Sequence, residues 1–221
     1  MKRVAILVLA ACHDELVQPW QLDHDRIVAA RATPAGIASG EAAQLDALIA
    51  HEGGVTDVEM PTGATAAGAP GGLFTAVHFM FDHWEIQAPD DAQLAAARAE
   101  LGLAATSLPG NTSVTSSGTG AVASKLVWLG ESRANPALPA ITIDGVAPGT
   151  TLDLPRGRDI TLSATGDDVS WLSSTGTLHD DDANVATLDV ARGDPATGEL
   201  AVVVRDGAGG IVWQVWSITT H

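Results

Sequence analysis

The stretch DITLSATGDDVSWLSSTGTL, residues 159–178, decides the fold. Ile160, Leu162 and Ala164 alternate with Thr161 and Ser163, so an extended chain here puts every apolar side chain on one face. Gly166, Asp167 and Asp168 then break the pattern with turn residues. Val169 and Trp171 restart it. Outward from this pair, similar short segments recur: ITID at 141–144, TLDLP at 151–155, VATLDV at 185–190, ELAVVVRD at 199–206 and IVWQVWSIT at 211–219. The last two are joined by Asp206-Gly207-Ala208-Gly209-Gly210, a hairpin loop whose glycines are free to take positive φ. Short strands at this spacing predict a β-sandwich.

The order of these pieces, a strand ending SAT, a tryptophan-bearing VSWLSSTGTL and a closing hairpin through DGAGG, resembles bacterial immunoglobulin-like domains. The resemblance implies that Trp171 is the core tryptophan. The cysteine pair of antibody domains is absent, so no disulfide carries over.

Upstream, residues 26–32 form an opening strand, PAGIASG at 34–40 its turn, and residues 41–50 the second strand, as many immunoglobulin-like domains begin. PTGATAAGAPGG at 61–72 reads as a loop of small residues, and LFTAVHFMFDHWEIQAP as two strands. PDDAQLAAARAELG at 89–102 has an Asp N-cap, an Ala- and Leu-rich interior and a Gly stop, which predicts one helix of about three turns. TSVTSSGTGAVASKLVWLG closes the unit as a hairpin bent at Gly118-Thr119-Gly120. The expected fold is therefore mainly β: two tandem immunoglobulin-like β-sandwich domains, the first with one inserted helix. Expected boundaries are a first domain at 25–132, a proline-bearing linker at 133–140 with Pro136 and Pro139, and a second domain at 141–221. Residues 12–24 read as a tether in which Leu16, Trp20 and Leu22 offer contacts to the first domain.

The chain begins MKRVAILVLAAC, a basic start at Lys2 and Arg3, an apolar run, then small residues before Cys12, the single cysteine of 221 residues. That is the layout of a secretory signal. Leu9-Ala10-Ala11-Cys12 resembles the lipobox of bacterial lipoprotein signal peptides. The resemblance implies cleavage after residue 11 and attachment of acyl chains such as palmitate to the Cys12 thiol, making the lipid bilayer a partner. It also favours the outer membrane, because His13 rather than Asp follows the cysteine.

The formal charge is −16, and loss of Lys2 and Arg3 makes the remainder more acidic. Such a chain repels phosphate backbones, so nucleic acid is excluded as a partner. With 46% hydrophobic residues and scattered charges, it folds.

The search for chemistry yields little. Ser117 falls in a hairpin, not in the strand-turn-helix elbow of a hydrolase nucleophile, and GAPGG lacks the Lys-Ser/Thr of a phosphate loop. His51, His78, His83 and His179 lack metal-ligand spacing. The pairs Asp90-Asp91 and Asp167-Asp168 sit at a helix start and a turn, where Asp is expected. Asp180, Asp182 and Asn184 have the alternate spacing of a calcium loop but lack its Gly and distal Glu, and are read as a plain loop. Trp128, Trp171 and Trp213 are assigned to cores. Trp84 and Trp216 are the candidate binding aromatics. Trp213 and Trp216, three apart, must face opposite sides, which sends one outward or into a contact between domains.

The expected function is a membrane-anchored envelope lipoprotein without catalytic activity or cofactor, binding a protein or glycan or acting as a spacer. The alternative is an envelope hydrolase with a loop-built site in the first domain, which requires Asp82, His83 and Glu85 to converge.

Overall fold

A computed structural model describes residues 18–22, 24–51, 54–67, 77–104, 108–115 and 121–221. Cys12, His13, Leu16, Ser117, the Gly118-Thr119-Gly120 bend and the GAPGG segment lie outside the described residues.

The first module comprises β1 (Arg26–Thr33), β2 (Gly36–Ile37), β3 (Ala42–His51), β4 (Gly54–Glu59), β5 (Gly63–Ala67), β6 (Val77–Met80), β7 (His83–Gln87), helix α1 (Asp91–Leu101), β8 (Leu108–Thr115) and β9 (Val122–Leu129). One sheet runs β1-β3-β7-β6, with β4 beside the far half of β3; the facing sheet runs β2-β9-β8-β5. Between them pack Ala30, Ala32, Leu45, Ile86, Val127 and Leu129. The chain crosses from one sheet to the other between β1 and β2, where Gly36 lies against β9. A Cβ there would stand 2.8 Å from the Glu131 carbonyl oxygen, so the crossing requires glycine.

The helix forms where expected. Asp90 accepts from the Gln93 amide while Gln93 reaches back to the Asp90 amide, and Gly102 ends it at φ 63°. It is buried through Leu94 and Ala97, one turn apart.

In the first module three elements differ from the sequence reading. Residues 36–37, inside the turn expected at 34–40, form strand β2, paired in parallel with β9 through Gly36↔Trp128 and Ile37↔Leu129. Residues 63–67, taken as loop, are strand β5, paired to β8 from Gly63↔Thr115 to Ala67↔Asn111. Four of its five residues are glycine or alanine, which carry almost no strand preference, so the neighbouring strand rather than local propensity sets the conformation. Strand β4 was not foreseen at all.

The second module comprises β10 (Ile141–Ile143), β11 (Thr151–Leu154), β12 (Asp159–Ala164), β13 (Asp168–Ser173), β14 (Thr177–His179), β15 (Val185–Asp189), β16 (Thr197–Arg205) and β17 (Ile211–Thr220). Its sheets run β10-β12-β15-β14 and β11-β17-β16-β13. Ile160, Leu162, Trp171, Leu188, Leu200 and Val202 lie between them. Trp171 is fully buried, and its indole N–H donates to the Ala183 carbonyl at 3.2 Å. Apart from β4 and α1, both modules trace the same immunoglobulin-like order.

The modules do not hang from each other end to end. Leu48 and Ala50 on β3 and Ala29 on β1 face Ala201 and Val203 on β16 and Ile211 and Trp213 on β17, forming a third apolar core. Four sheets are thus stacked around three cores, and the β1-β3 and β16-β17 sheets are each covered on both faces.

The N-terminal segment departs furthest from expectation. Trp20 packs in the core of the second module, not the first, and Leu22 in the core shared by both. Residues 20–22 lie along the outer edge of β13: the Leu22 N–H donates to the Ser173 carbonyl and the Ser173 N–H to the Trp20 carbonyl, both at 3.1 Å. This strap covers an edge that would otherwise expose unpaired backbone groups. Residues 133–140 are similarly tied down. Gly36 and Arg133 exchange two backbone hydrogen bonds of 3.0 Å. The Asn135 amide donates to the Ala32 carbonyl in one module and accepts from the Ile211 N–H in the other.

Candidate functional site

Several polar side chains with unusual surroundings lie along the seam between the modules. Arg31 and Asp46 are cross-strand neighbours on β1 and β3. Their ion pair is bidentate, with Arg31 Nη2 2.6 Å from Asp46 Oδ2 and Nε 3.0 Å from Oδ1. The same guanidinium lies 3.9 Å over the Trp213 ring of the second module. A cation over an aromatic face, paired at the same time with a carboxylate, opposes sliding of one module on the other. Trp213, assigned to a core, is the member of the Trp213/Trp216 pair that enters the contact between domains.

Arg205 bridges the seam from the other side. It donates to Ser170 Oγ at 2.9 Å and to the Val28 carbonyl at 3.5 Å. Arg26 donates to the Pro19 carbonyl of the strap. Between them lies a cleft of about 390 Å³ that also carries Asp181 and Asp182. It carries two cations and two carboxylates, and both arginines already hold protein carbonyls. Chemically it is a seam that joins three chain segments.

Lys125 completes the seam. It is the only lysine beyond residue 2, and it is 2% exposed. On β9 it is in phase with Val127 and Leu129, so it points inward where an alkyl side chain is expected. There the 206–210 hairpin of the second module closes over it, and the ammonium donates to the Gly209 carbonyl. That hairpin is built as the sequence predicts: Asp206 Oδ1 accepts from the Ala208 and Gly210 amides at 2.9 and 2.6 Å, and Gly209 takes φ 86°. Burial lowers the Lys125 pKa to about 8, against the opposing pull of the Asp206 carboxylate. Sequence reasoning missed this residue, although a lysine in phase with two core positions was visible.

The sequence-designated residues are dispersed. Trp84 is half-buried; its N–H donates to the Pro61 carbonyl at 2.8 Å and its ring meets Phe79 edge-on at 5.5 Å. Trp216 is 4% exposed inside the second module's core. It is therefore no exposed platform: its phase on β17, opposite to Trp213, turns it inward. Gln214 and Trp216 floor a cleft of about 460 Å³ beside Pro139 and Pro148. Asp180, Asp182 and Asn184 lie in the β14–β15 connection with exposed side chains. The loop's backbone is used internally, the Asp181 carbonyl accepting from the Trp171 N–H at 2.7 Å and the Asn184 carbonyl from Ala164 at 2.9 Å. Among the described residues no group of three or more His, Cys, Asp or Glu is arranged to hold a metal ion.

Asp82 and His83 touch, Nδ1 to Oδ1 at 2.9 Å, at the tip of the β6–β7 hairpin, where the Asp82 side chain is 90% exposed. Glu85 lies further along β7, paired in register with His78. The three follow a hairpin; none lines either cleft described above.

No family model matches the chain, and no curated protein matches it. Among solved structures, tandem Ig repeats of Dlar align over 90% of this chain and 98% of theirs, at 13% identity and a TM-score of 0.31. The human Desmocollin-1 ectodomain aligns over 85% of this chain at 10% identity and a TM-score of 0.28. The SGBP-B protein of a Bacteroides ovatus mixed-linkage glucan utilization locus, solved in complex with a mixed-linkage heptasaccharide, aligns over 86% at 10% identity and a TM-score of 0.21. This chain spans 34% of the Desmocollin-1 structure and 43% of the SGBP-B structure.

Proposed function

We propose that this chain is a lipid-anchored, non-catalytic module of the bacterial cell envelope, held in the outer membrane through acylated Cys12 and presenting a protein- or glycan-binding surface. The observation that carries the reading is the seam. Three cores, the strap at 18–22 and the tied segment at 133–140 make one stiff block out of two sandwiches, and Arg31, Asp46, Arg205 and Lys125 serve that joint. A block of this kind presents a surface at a fixed height and orientation above its anchor. The strap also ties the anchor side of the chain to both modules at once.

The anchor is tested by Cys12→Ser in cells fed a labelled fatty acid. The variant loses both acyl label and detergent partitioning, because the acyl chains supply about 0.8 kcal/mol of membrane affinity per buried methylene. Normal partitioning by the variant contradicts the reading, and recovery chiefly in inner-membrane fractions contradicts the outer-membrane assignment. The binding role is tested by pull-down from native envelope with the whole chain. A retained glycan or protein supports it; turnover of an envelope polymer by the purified chain replaces it.

A further inference from the structure

The β6–β7 hairpin turns through Phe81 and Asp82. Phe81 sits at φ 53°, a left-handed conformation that a bulky side chain rarely adopts, and its ring is 92% exposed. Glycine, asparagine or aspartate makes such a turn with less strain, and the exposed ring returns nothing to the fold. An unfavourable backbone conformation that displays an apolar ring to solvent points to a use outside the fold. Further exposed apolar side chains belong to the same hairpin and to the segment that meets it. Phe79 is 49% exposed and stacks edge-on against Trp84, and Met60, 42% exposed, adjoins the Pro61 carbonyl that takes the Trp84 N–H.

Register locates this tip. Ala42 pairs with Gln87 and Leu45 with Trp84, so β7 followed back to His83 runs toward the end of β3 at Ala50. Ala50 pairs with Arg26, where β1 begins, and Arg26 holds the Pro19 carbonyl of the strap. The hairpin tip and the strap thus lie toward the same end of the first module. From Gln18 back to Cys12 the chain reaches at most about 20 Å.

We propose that the β6–β7 tip is a second membrane contact, in which Phe81, with Phe79 and Met60 near it, enters the interfacial layer of a bilayer with zwitterionic, net-neutral headgroups. The proposal rests on the lipid-anchor reading. A bilayer is the favoured occupant because the tip is a protruding ring rather than a pocket-rimmed patch, and aromatic rings settle at the headgroup boundary. Net-neutral headgroups are favoured because the chain carries −16 and Asp82 follows Phe81 at the turn, so an anionic surface repels the tip. One ring alone binds weakly; held near the membrane by the anchor, it fixes the tilt of the block.

The test uses a Cys12→Ser chain tethered by an N-terminal hexahistidine tag to nickel-chelating lipid in phosphatidylcholine vesicles, with an NBD label at Phe81→Cys. The synthetic tether makes the outcome independent of acylation in cells, so failure here is separable from failure of the anchor. Expected are a blue-shifted emission and quenching by doxyl-labelled lipid at position 81, both reduced when phosphatidylglycerol is added. A label at Val146→Cys, a 68% exposed position in the second module, stays unshifted. The proposal is overturned if position 81 is neither shifted nor quenched, or if both positions respond equally. A shift produced only by envelope protein, and not by vesicles, overturns it in favour of a protein partner.

Discussion

The two modules share one topology and differ in how their sheets are used. In the first, the β2-β9-β8-β5 sheet has one described core face, lined by Val127 and Leu129. In the second, the β11-β17-β16-β13 sheet is buried twice: Leu200, Val202 and Val204 face the module's own core, while Ala201 and Val203 face the other module. The same alternation occurs on β17, with Trp216 and Ile218 inward and Ile211 and Trp213 outward. A sandwich sheet with two apolar faces cannot stand alone in water without exposing a large patch. The second module is built to be one half of a joint.

The largest effects are expected from the tryptophans on those two faces. Trp171→Ala and Trp213→Ala each remove a buried indole and cost about 3–5 kcal/mol. Their consequences differ in kind. Trp171→Ala, opening the second module's core, lowers the single unfolding midpoint in urea. Trp213→Ala, which also strips Arg31 of its aromatic face, splits the transition in two as the modules separate. Identical curves for the two variants break the distinction between core and joint.

The strap is the next test. Trp20→Ala with Leu22→Ala removes two buried side chains, at about 2–5 kcal/mol each, and frees the edge of β13. Lower stability together with concentration-dependent association, followed by light scattering, is expected. Unchanged stability shows that the strap is not part of the second module's core.

These elements were unevenly legible in the sequence. The second module was legible nearly strand by strand because β11 and β12 alternate with period 2 and β16 and β17 are long apolar segments between turn residues; only β14, three residues long, was not separated. The helix was legible from its caps. Strands β4 and β5 were not, because β5 reads GATAA and owes its conformation to β8. The joint was half-visible. The run Val202-Val203-Val204 lacks the polar alternation of a one-faced strand and is the signature of burial on both sides. Trp20 could not be placed, since strap and β13 are about 150 residues apart and nothing local encodes their pairing.

A smaller effect concerns Lys125, whose folded pKa of about 8 lies below the ordinary lysine value of 10.5. Between these values the unfolded chain binds the extra proton, so stability rises with pH across this window, by up to roughly 3 kcal/mol. The chain has no tyrosine, and its one other lysine is Lys2. Lys125→Met is therefore expected to flatten the rise in urea midpoint between pH 8 and 10.5. A rise that survives the substitution has another source.

The smallest expected effect lies in the second module's first turn. Asp144 carries a lowered pKa, held down by the Arg158 side chain and then by the Thr161 amide. The Arg158–Asp144 contact of 2.7 Å is largely exposed, so it contributes about 0.5 kcal/mol. Because the folded pKa is depressed, this contribution is present above the unfolded carboxylate range and lost as pH falls through the folded value. Arg158→Ala should weaken the acid dependence by that amount and leave the alkaline slope of Lys125 untouched.

The most direct test of the fused block is equilibrium unfolding of the full Cys12→Ser chain in urea, followed in parallel by far-ultraviolet circular dichroism, tryptophan fluorescence and calorimetry. One cooperative unit gives coincident curves and a calorimetric enthalpy equal to the van't Hoff enthalpy. Two separated transitions, one for each sandwich, would contradict the shared core on which the account rests.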